Sequence, residues 1–226
     1  MEIADDLSKT LNGGFGGLYG EVVTSDCYQL KTTTWQPDII FDLGANIGTC
    51  SRFCRELFPS ALIVAVEPDS DNYATFKKFT NDNNLVLINK AIGTGEVYRA
   101  KGAANGAMEV YLSKMVGYGE ELQGDAFTKS DIGFTTVEEL FKEFYQPEMK
   151  SIVKIDIEGS ENSIFQSEAS MSALKQADYI VIEIHRYAAT GATQQIVNDL
   201  TETALKSFEA THNCNYKHPI FFATKK

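Results

Sequence analysis

The stretch FDLGANIGTC, residues 41–50, leads from a short apolar run through a glycine-containing loop into a helical pattern. Gly44 permits a tight turn after the run, and Gly48 lets a ligand or the next helix approach the backbone closely. The helix amides that follow would present an anion-binding end. Asn46 stands where the G-x-G-x-x-G pattern of dinucleotide-binding folds has its second glycine. The loop is therefore expected to face a small carboxylate rather than a diphosphate.

Outward from this loop, apolar runs alternate with helical patterns. The strands predicted next are ALIVAVEPD (61–69) and NLVLINKAIG (84–93), with helices over 49–58 and 70–82. Continuous apolar runs joined by short connections are typical of parallel strands that are covered on both faces. The pattern predicts a doubly wound α/β sheet.

The alternation stops over residues 94–134. Two strand-like pieces flank a Gly/Ala/Asn turn in this insertion and predict a hairpin, and long irregular segments of this kind commonly contact substrate. Residues 1–37 precede the first strand, and their glycine-rich part predicts a flap or a loop that leads through a short strand into a hairpin.

The alternation resumes after the insertion. TTVEELFKEFY (135–145) is predicted to be a helix with a capping box at Thr136 and Glu139. The remaining predicted elements are a strand at 151–158, a helix at 160–175, a strand at 178–185, a helix at 193–205 and a hairpin formed by KSFEATH (206–212) and HPIFFATK (218–225).

Composition bounds the function. The 226-residue chain has a formal net charge of −11, and 43% of its residues are hydrophobic, which suits one large α/β domain. The acidic balance disfavours non-specific nucleic-acid binding and attachment to an anionic membrane. The first ten residues are polar and acidic, unlike a signal peptide, and apolar runs such as 61–66 are too short to cross a bilayer. The four cysteines lack a C-x-x-C pair and are read as reduced core thiols, so we expect a cytoplasmic protein.

An acidic residue, Glu67, ends the second strand about 20 residues after the glycine loop. An acid in this place can accept hydrogen bonds from both ribose hydroxyls of an adenosyl or nicotinamide ligand. Asn89 and Ala91 follow the third strand, where an adenine ring would lie.

Further acidic residues follow the next two strands. In VKIDIEGSE (153–161), Asp156 and Glu158 are two apart, so along a strand their side chains point the same way. Glu183 and His185 are also two apart, at the end of the following strand. If these strands are neighbours, three carboxylates and one imidazole converge. Buried carboxylates without partners cost several kcal/mol, which predicts a cationic ligand or a proton at this place.

Four motifs in this order resemble those of FkbM-family class I S-adenosylmethionine-dependent methyltransferases. They are FDLGANIG (41–48), VEPD (66–69), VKIDIEGSE (153–161) and IVIEIH (180–185), and the resemblance covers residues 38–186. It departs at Glu138, where the family usually has Asp, so Glu138 is assigned no role. The resemblance implies a single methyltransferase domain, 1–226, with a Rossmann-like, seven-stranded and mostly parallel sheet, helices on both faces and a C-terminal antiparallel hairpin.

The resemblance also implies the cofactor, S-adenosyl-L-methionine, and its place. The methionine end would lie against the glycine loop, the ribose at Glu67 and the adenine near Asn89. The residues expected to bind the cofactor are Asp42, Gly44, Asn46, Gly48, Glu67, Asn89, Ala91 and Asp156.

Catalysis is assigned to Asp156, Glu158 and His185, and two routes are open. In the first, Asp156 contacts the ammonium of the cofactor, and His185 or Glu158 takes a proton from the acceptor. In the second, which the resemblance implies, Asp156, Glu183 and His185 bind a divalent metal that lowers the pKa of an acceptor hydroxyl. The expected reaction is O-methylation of a sugar, a glycan or a small metabolite. A non-catalytic binding module and an NAD(P)-dependent oxidoreductase are the alternatives.

Overall fold

The computed structural model describes residues 15–78, 80–93, 97–100, 110–113, 127–185 and 191–226. Its strands are β1 Ile39–Leu43, β2 Leu62–Val66, β3 Leu85–Ile88, β4 Ala91–Ile92, β5 Val97–Ala100, β6 Val110–Ser113, β7 Phe127–Lys129, β8 Phe134–Thr135, β9 Ser151–Ile155, β10 Tyr179–Glu183, β11 His212–Lys217 and β12 Ile220–Lys225. Its α-helices are α1 Phe15–Tyr19, α2 Thr49–Leu57, α3 Ser70–Lys78, α4 Val137–Phe144, α5 Glu161–Phe165, α6 Glu168–Leu174 and α7 Gly191–Ser207. A π-helical turn, Gly20–Thr24, follows α1, and 3₁₀ turns lie at Leu30–Thr32 and Phe208–Ala210.

Seven strands form one sheet in the order β11-β12-β10-β9-β1-β2-β3. The five from β10 to β3 are parallel, and β12 runs antiparallel to both β10 and β11. This is the predicted fold. Leu43 at the end of β1 is in register with Val66 of β2 and with Ile155 of β9, so the carboxyl ends of these strands meet at one edge. Ligands bind at this edge in open α/β sheets.

Apolar side chains cover both faces of the sheet, because successive residues of a strand point to opposite faces. On β1, Ile39, Phe41 and Leu43 belong to one buried cluster and Ile40 to the other. The ring of Phe41 stacks on Phe141 of α4, with centroids 4.7 Å apart. Packing on both faces explains why the strands are apolar along most of their length, with Asp42 in β1 and Lys154 in β9 as buried exceptions.

Local signals placed several elements correctly. Thr136 and Glu139 form the predicted capping box at the start of α4. In the insertion, β5 pairs antiparallel with β6 as predicted, while β7 adds a third strand on the other side of β5. The helix predicted at 193–205 is α7, Gly191–Ser207.

Several predictions were wrong. The strand expected at 84–93 is two strands, β3 and β4, and β4 pairs with β8 in a separate sheet. The strand expected at 151–158 ends at Ile155. The helix expected at 160–175 is two helices, because the Ser167 hydroxyl accepts a hydrogen bond from the Ser170 amide and starts α6 anew. KSFEATH is not a strand: α7 and a 3₁₀ turn continue to Ala210 and bury Phe208, and β11 begins only at His212. The short strand expected after the glycine-rich part of residues 1–37 is instead a π-helical turn, Gly20–Thr24. Residues 1–14, which hold part of the predicted flap, lie outside the described part of the chain.

Among the described helices, none combines the length and the apolar character that crossing a membrane requires.

Candidate active site

A cavity of about 260 Å³ opens at the carboxyl ends of the parallel strands. Its walls come from the loop after β1, the ends of β2, β9 and β10, strand β4, and the segment before β1. Its polar and backbone lining includes Glu21, Tyr28, Gly44, Asn46, Thr49, Glu67, Asn72, Lys154, Asp156, Glu158, Ser160 and Glu183.

The two glycines of the loop after β1 allow close packing. Gly44 has a φ of +79°, and a Cβ there would lie 1.7 Å from the carbonyl oxygen of Asp156. Gly48 has a φ of +86°, and a Cβ there would lie 2.5 Å from the ring of Phe76. Gly44 therefore seats the loop against β9. Gly48 leaves room for the Phe76 ring of α3 to pack against the loop, and it does not line the cavity.

Glu67, at the end of β2, is 5% exposed and lies across from the glycine loop. Its Oε2 accepts a hydrogen bond from the Asn46 amide at 2.8 Å, and its Oε1 accepts one from the Asp69 amide at 2.9 Å. Burial raises the pKa of this carboxyl to about 7, although these hydrogen bonds oppose the rise. Ala91 lines the cavity. Asn89 instead donates its side-chain amide to the Glu67 carbonyl at 2.9 Å, so it braces the end of β2.

A buried lysine, Lys154, lies beneath the glycine loop. Its Nζ is 3.1 Å from Asp42 Oδ1 and 3.7 Å from Asp156 Oδ2, and it donates to the Gly44 carbonyl at 2.7 Å. Burial alone would lower the pKa of Lys154, but the two carboxylates outweigh burial and raise it. Asp42 is fully buried and also accepts from the Ser51 hydroxyl, so it supports the cavity from behind without lining it.

Sequence reasoning missed Lys154, although a signal was present. A lysine inside the five-residue apolar strand β9 has to find a buried anion, and the strand-end acids supply it. Tyr28 was also missed. Its hydroxyl donates to Asp156 Oδ2 at 2.9 Å, so the segment before β1 holds a site residue in place.

The acids at the ends of β9 and β10 converge, because these strands are parallel neighbours. His185 Nε2 lies 3.8 Å from Asp156 Oδ1, 3.6 Å from Glu158 Oε2 and 3.8 Å from Glu183 Oε1. Burial alone would lower the pKa of His185, but the hydrogen bond to Glu161 and the surrounding carboxylates raise it to about 9. Burial, and then the charge of Asp156, raise the pKa of Glu183 to about 7.

Glu161 begins α5 as expected, but it does more than start a helix. It is 1% exposed, and its Oε1 lies 3.0 Å from His185 Nδ1. The same oxygen accepts from the amides of Ile157 at 3.2 Å and Gly159 at 3.3 Å. The chain can curl around this carboxylate because Glu158 and Gly159 have φ values of +53° and +100°.

Three of these side chains could hold a divalent cation. Asp156, Glu158 and His185 each offer a ligand atom, and the three atoms lie within 4.8 Å of one another. Carboxylate oxygens with one imidazole nitrogen suit several divalent metals. The predicted set had Glu183 in place of Glu158, and Glu183 lies beside the same imidazole nitrogen.

The chain is similar to known methyltransferases over most of its length. The family model of the methyltransferase FkbM domain matches residues 42–217. Methyltransferase sdnD of Sordaria araneosa is 24% identical over 174 residues, which cover 66% of this chain and 67% of that protein. Hexuronic acid methyltransferase AglP of Haloferax volcanii is 27% identical over 180 residues, which cover 78% of this chain and 66% of that protein. The chain thus spans about two thirds of the length of each relative.

The structure of a candidate caffeoyl-CoA O-methyltransferase from Staphylococcus aureus superposes with a TM-score of 0.53 and 12% identity, covering 100% of this chain and 98% of that one. At this level of identity the likeness shows a shared fold.

Proposed function

The chain belongs to the FkbM family of S-adenosylmethionine-dependent methyltransferases, and we propose that it moves the methyl group to a hydroxyl of a sugar, a glycan or a small metabolite. The observation that supports this most strongly is that Asp156 and Glu158 line one cavity with the glycine loop and Glu67, while His185 Nε2 lies 3.8 Å from Asp156 Oδ1 and 3.6 Å from Glu158 Oε2. The carboxylates of Glu67, Asp156 and Glu158 suit a site that binds a cationic cofactor and an acceptor that must lose a proton.

We assign cofactor binding to two kinds of residue. Gly44, Asn46, Glu67, Ala91 and Asp156 line the cavity and would contact the cofactor. Glu67 accepts three hydrogen bonds from the described residues, and a carboxylate has about four acceptor sites, so it retains room for a ribose hydroxyl. The remaining predicted residues, Asp42, Gly48 and Asn89, would act through packing and hydrogen bonds behind the wall.

The proposed reaction is an in-line displacement. The acceptor oxygen forms a bond to the methyl carbon while the bond from sulfur to that carbon breaks. The electron pair stays on sulfur, and S-adenosylhomocysteine leaves. Orientation of the two reactants can supply about 7–11 kcal/mol. The acceptor also releases a proton, and a positioned base accelerates such a step by about 10²–10⁴-fold.

Glu158 and His185 are the groups placed to receive that proton. His185 is protonated at neutral pH in the cofactor-free protein, because its pKa is about 9. A bound sulfonium would add a second positive charge near these groups, which would disfavour the imidazolium and lower the pKa of His185. His185 Nε2 could then accept a proton, and Asp156 would offset the charge of the sulfonium.

A divalent cation, when held by Asp156, Glu158 and His185, would supply Lewis-acid activation of the acceptor hydroxyl. Titration of Mn²⁺ into the wild type and into Asp156→Asn tests this part of the proposal. Binding by the wild type that the variant loses supports the cation, whereas full methyl transfer in excess chelator removes it from the mechanism.

The acceptor class has support from one relative, whose name specifies hexuronic acid. The direct test is transfer of a radiolabelled methyl group to a panel of neutral sugars, hexuronic acids, small alcohols and amines, with Asp156→Asn as the control. We expect labelled methyl ethers from the wild type and a large loss in the variant, and labelled methyl esters alone would point to a carboxylate acceptor and contradict a hydroxyl acceptor. Labelled amines alone would contradict a hydroxyl acceptor. Cofactor binding without transfer to any member would favour a non-catalytic module.

A further inference from the structure

We propose that Glu161 is a positioning residue, which fixes the ring of His185 so that Nε2 faces the acids that line the cavity. It also ties that ring to the loop carrying Glu158. The role of His185 rests on the proposed function, but the geometric part of the inference does not. Glu161 was expected only to begin a helix, and nothing in the comparisons assigns it a role.

The orientation of the ring follows from its two nitrogen atoms. Nδ1 lies 3.0 Å from Glu161 Oε1, within hydrogen-bonding distance. Nε2 lies 3.6–3.8 Å from one oxygen each of Asp156, Glu158 and Glu183. A carboxylate only accepts hydrogen bonds, so Nδ1 must carry a proton while this contact persists. Nε2 is therefore the nitrogen that faces the three acids lining the cavity.

The same carboxylate organises the neighbouring loop. Glu161 Oε1 accepts from the amides of Ile157 and Gly159, which flank Glu158. The end of β9 and the residue beyond β10 thus share one anchor. His185 needs such an anchor, because it lies two positions past Glu183, the last residue of β10. Ile184, between them, is held by its amide, which donates to the Pro219 carbonyl at 2.9 Å.

Burial makes the contact with His185 important for Glu161 itself. Glu161 is 1% exposed, and its second oxygen, Oε2, is buried with no hydrogen-bond partner among the described residues. A buried carboxylate is tolerated when it is paired. Among the described residues, Glu161 bonds to two backbone amides and to the His185 ring, which is its side-chain partner there.

Nitrogen NMR of ¹⁵N-histidine-labelled protein with bound S-adenosylhomocysteine tests the geometry without any acceptor. His185→Asn assigns the signal among the three histidines of the chain. In the wild type we expect a proton on Nδ1 that exchanges slowly with water. Glu161→Gln should shift this resonance and speed the exchange. Glu168→Gln is the matched control, because Glu168 is an exposed acid in the first turn of α6, and it should change neither.

Kinetics with an acceptor from the panel tests the consequence. Glu161→Gln should lower kcat about 10- to 100-fold, the effect typical of a carboxylate that orients a functional histidine, with little change in the KM for the cofactor. In a His185→Asn background the same substitution should add almost nothing. An additive loss, or a full wild-type kcat in Glu161→Gln, would overturn the proposal.

Two further outcomes distinguish the positioning role of Glu161 from the proposed methyl transfer. If Glu161→Gln fails to fold, the wild-type spectrum still decides, since an Nδ1 without a proton contradicts the assigned contact. If the NMR results hold but no acceptor is methylated, the positioning geometry stands and the proposed function fails.

Discussion

Replacement of Gly44 by alanine perturbs the contact that seats the glycine loop against β9. The new Cβ would lie 1.7 Å from the carbonyl oxygen of Asp156 and 3.2 Å from the Ile157 side chain. A left-handed conformation such as the φ of +79° costs a non-glycine residue about 1–2 kcal/mol. Relief of the overlap requires backbone movement, and overpacking costs about 1–3 kcal/mol more. We expect Gly44→Ala to lower the free energy of unfolding by about 2–5 kcal/mol.

Urea denaturation measures this loss, and calorimetric titration of S-adenosylhomocysteine measures its effect on the cavity. Affinity should fall as well, because any shift of the loop moves Asp156, which lines the same cavity. Gly133→Ala is the control: its Cβ would meet Lys90 at 3.8 Å, an ordinary contact, and should change stability by no more than about 0.5 kcal/mol. A loss in Gly44→Ala no larger than that of the control would refute the packing described for the loop.

Three other predictions follow from buried charges. Glu67→Gln should weaken S-adenosylhomocysteine binding about 10- to 100-fold, because a hydrogen bond to a charged group contributes about 1.5–3 kcal/mol. The wild-type affinity should also rise as the pH increases through about 7, where Glu67 ionises; a variant with wild-type affinity would contradict the ribose assignment. Lys154→Met leaves Asp42 and Asp156 without their shared cation and should cost about 3–5 kcal/mol in urea denaturation, so a near-neutral result would show that the ion pairs are dispensable. Because the pKa of His185 is raised to about 9, its protonation stabilises the folded, cofactor-free protein. This contribution to the free energy of unfolding is fully present below about pH 6.5 and is lost as the pH rises through about 9. Thermal melting across this range should show a larger loss in the wild type than in His185→Asn, where the raised carboxyl pKa values of Glu67 and Glu183 still contribute, and two parallel curves would contradict the role of His185.

Much of the sheet could be predicted, because strands that are buried on both faces are mostly apolar, and the buried pair of Asp42 in β1 and Lys154 in β9 is an exception. β1, Ile39–Leu43, is the apolar run that leads into the glycine loop, and the capping box of α4 is a purely local signal. The errors arose where local patterns are ambiguous. The break between α5 and α6 depends on the cap at Ser167. Phe208 is buried in a 3₁₀ turn, and one apolar residue within a polar stretch does not distinguish such a turn from a strand.

The candidate site divides in the same way. The convergence of Asp156, Glu158 and His185 was predictable, because all three follow the carboxyl ends of adjacent parallel strands. The expected period-two alignment of Asp156 and Glu158 was wrong, because β9 ends at Ile155 and Glu158 has a φ of +53°. The contact of Tyr28 with Asp156 spans 128 positions, and no local pattern encodes it. The hydrogen bond from the His185 ring to Glu161 likewise depends on how a loop with two positive-φ residues folds back.

The most direct test of the cofactor assignment is calorimetric titration of S-adenosylhomocysteine, and separately of NAD, into the wild-type protein. It requires no knowledge of the acceptor. We predict binding of S-adenosylhomocysteine at a single site and no measurable binding of NAD, because the loop after β1 lacks the glycine that makes room for a pyrophosphate. Binding of NAD without binding of S-adenosylhomocysteine would contradict a methyltransferase site in this cavity.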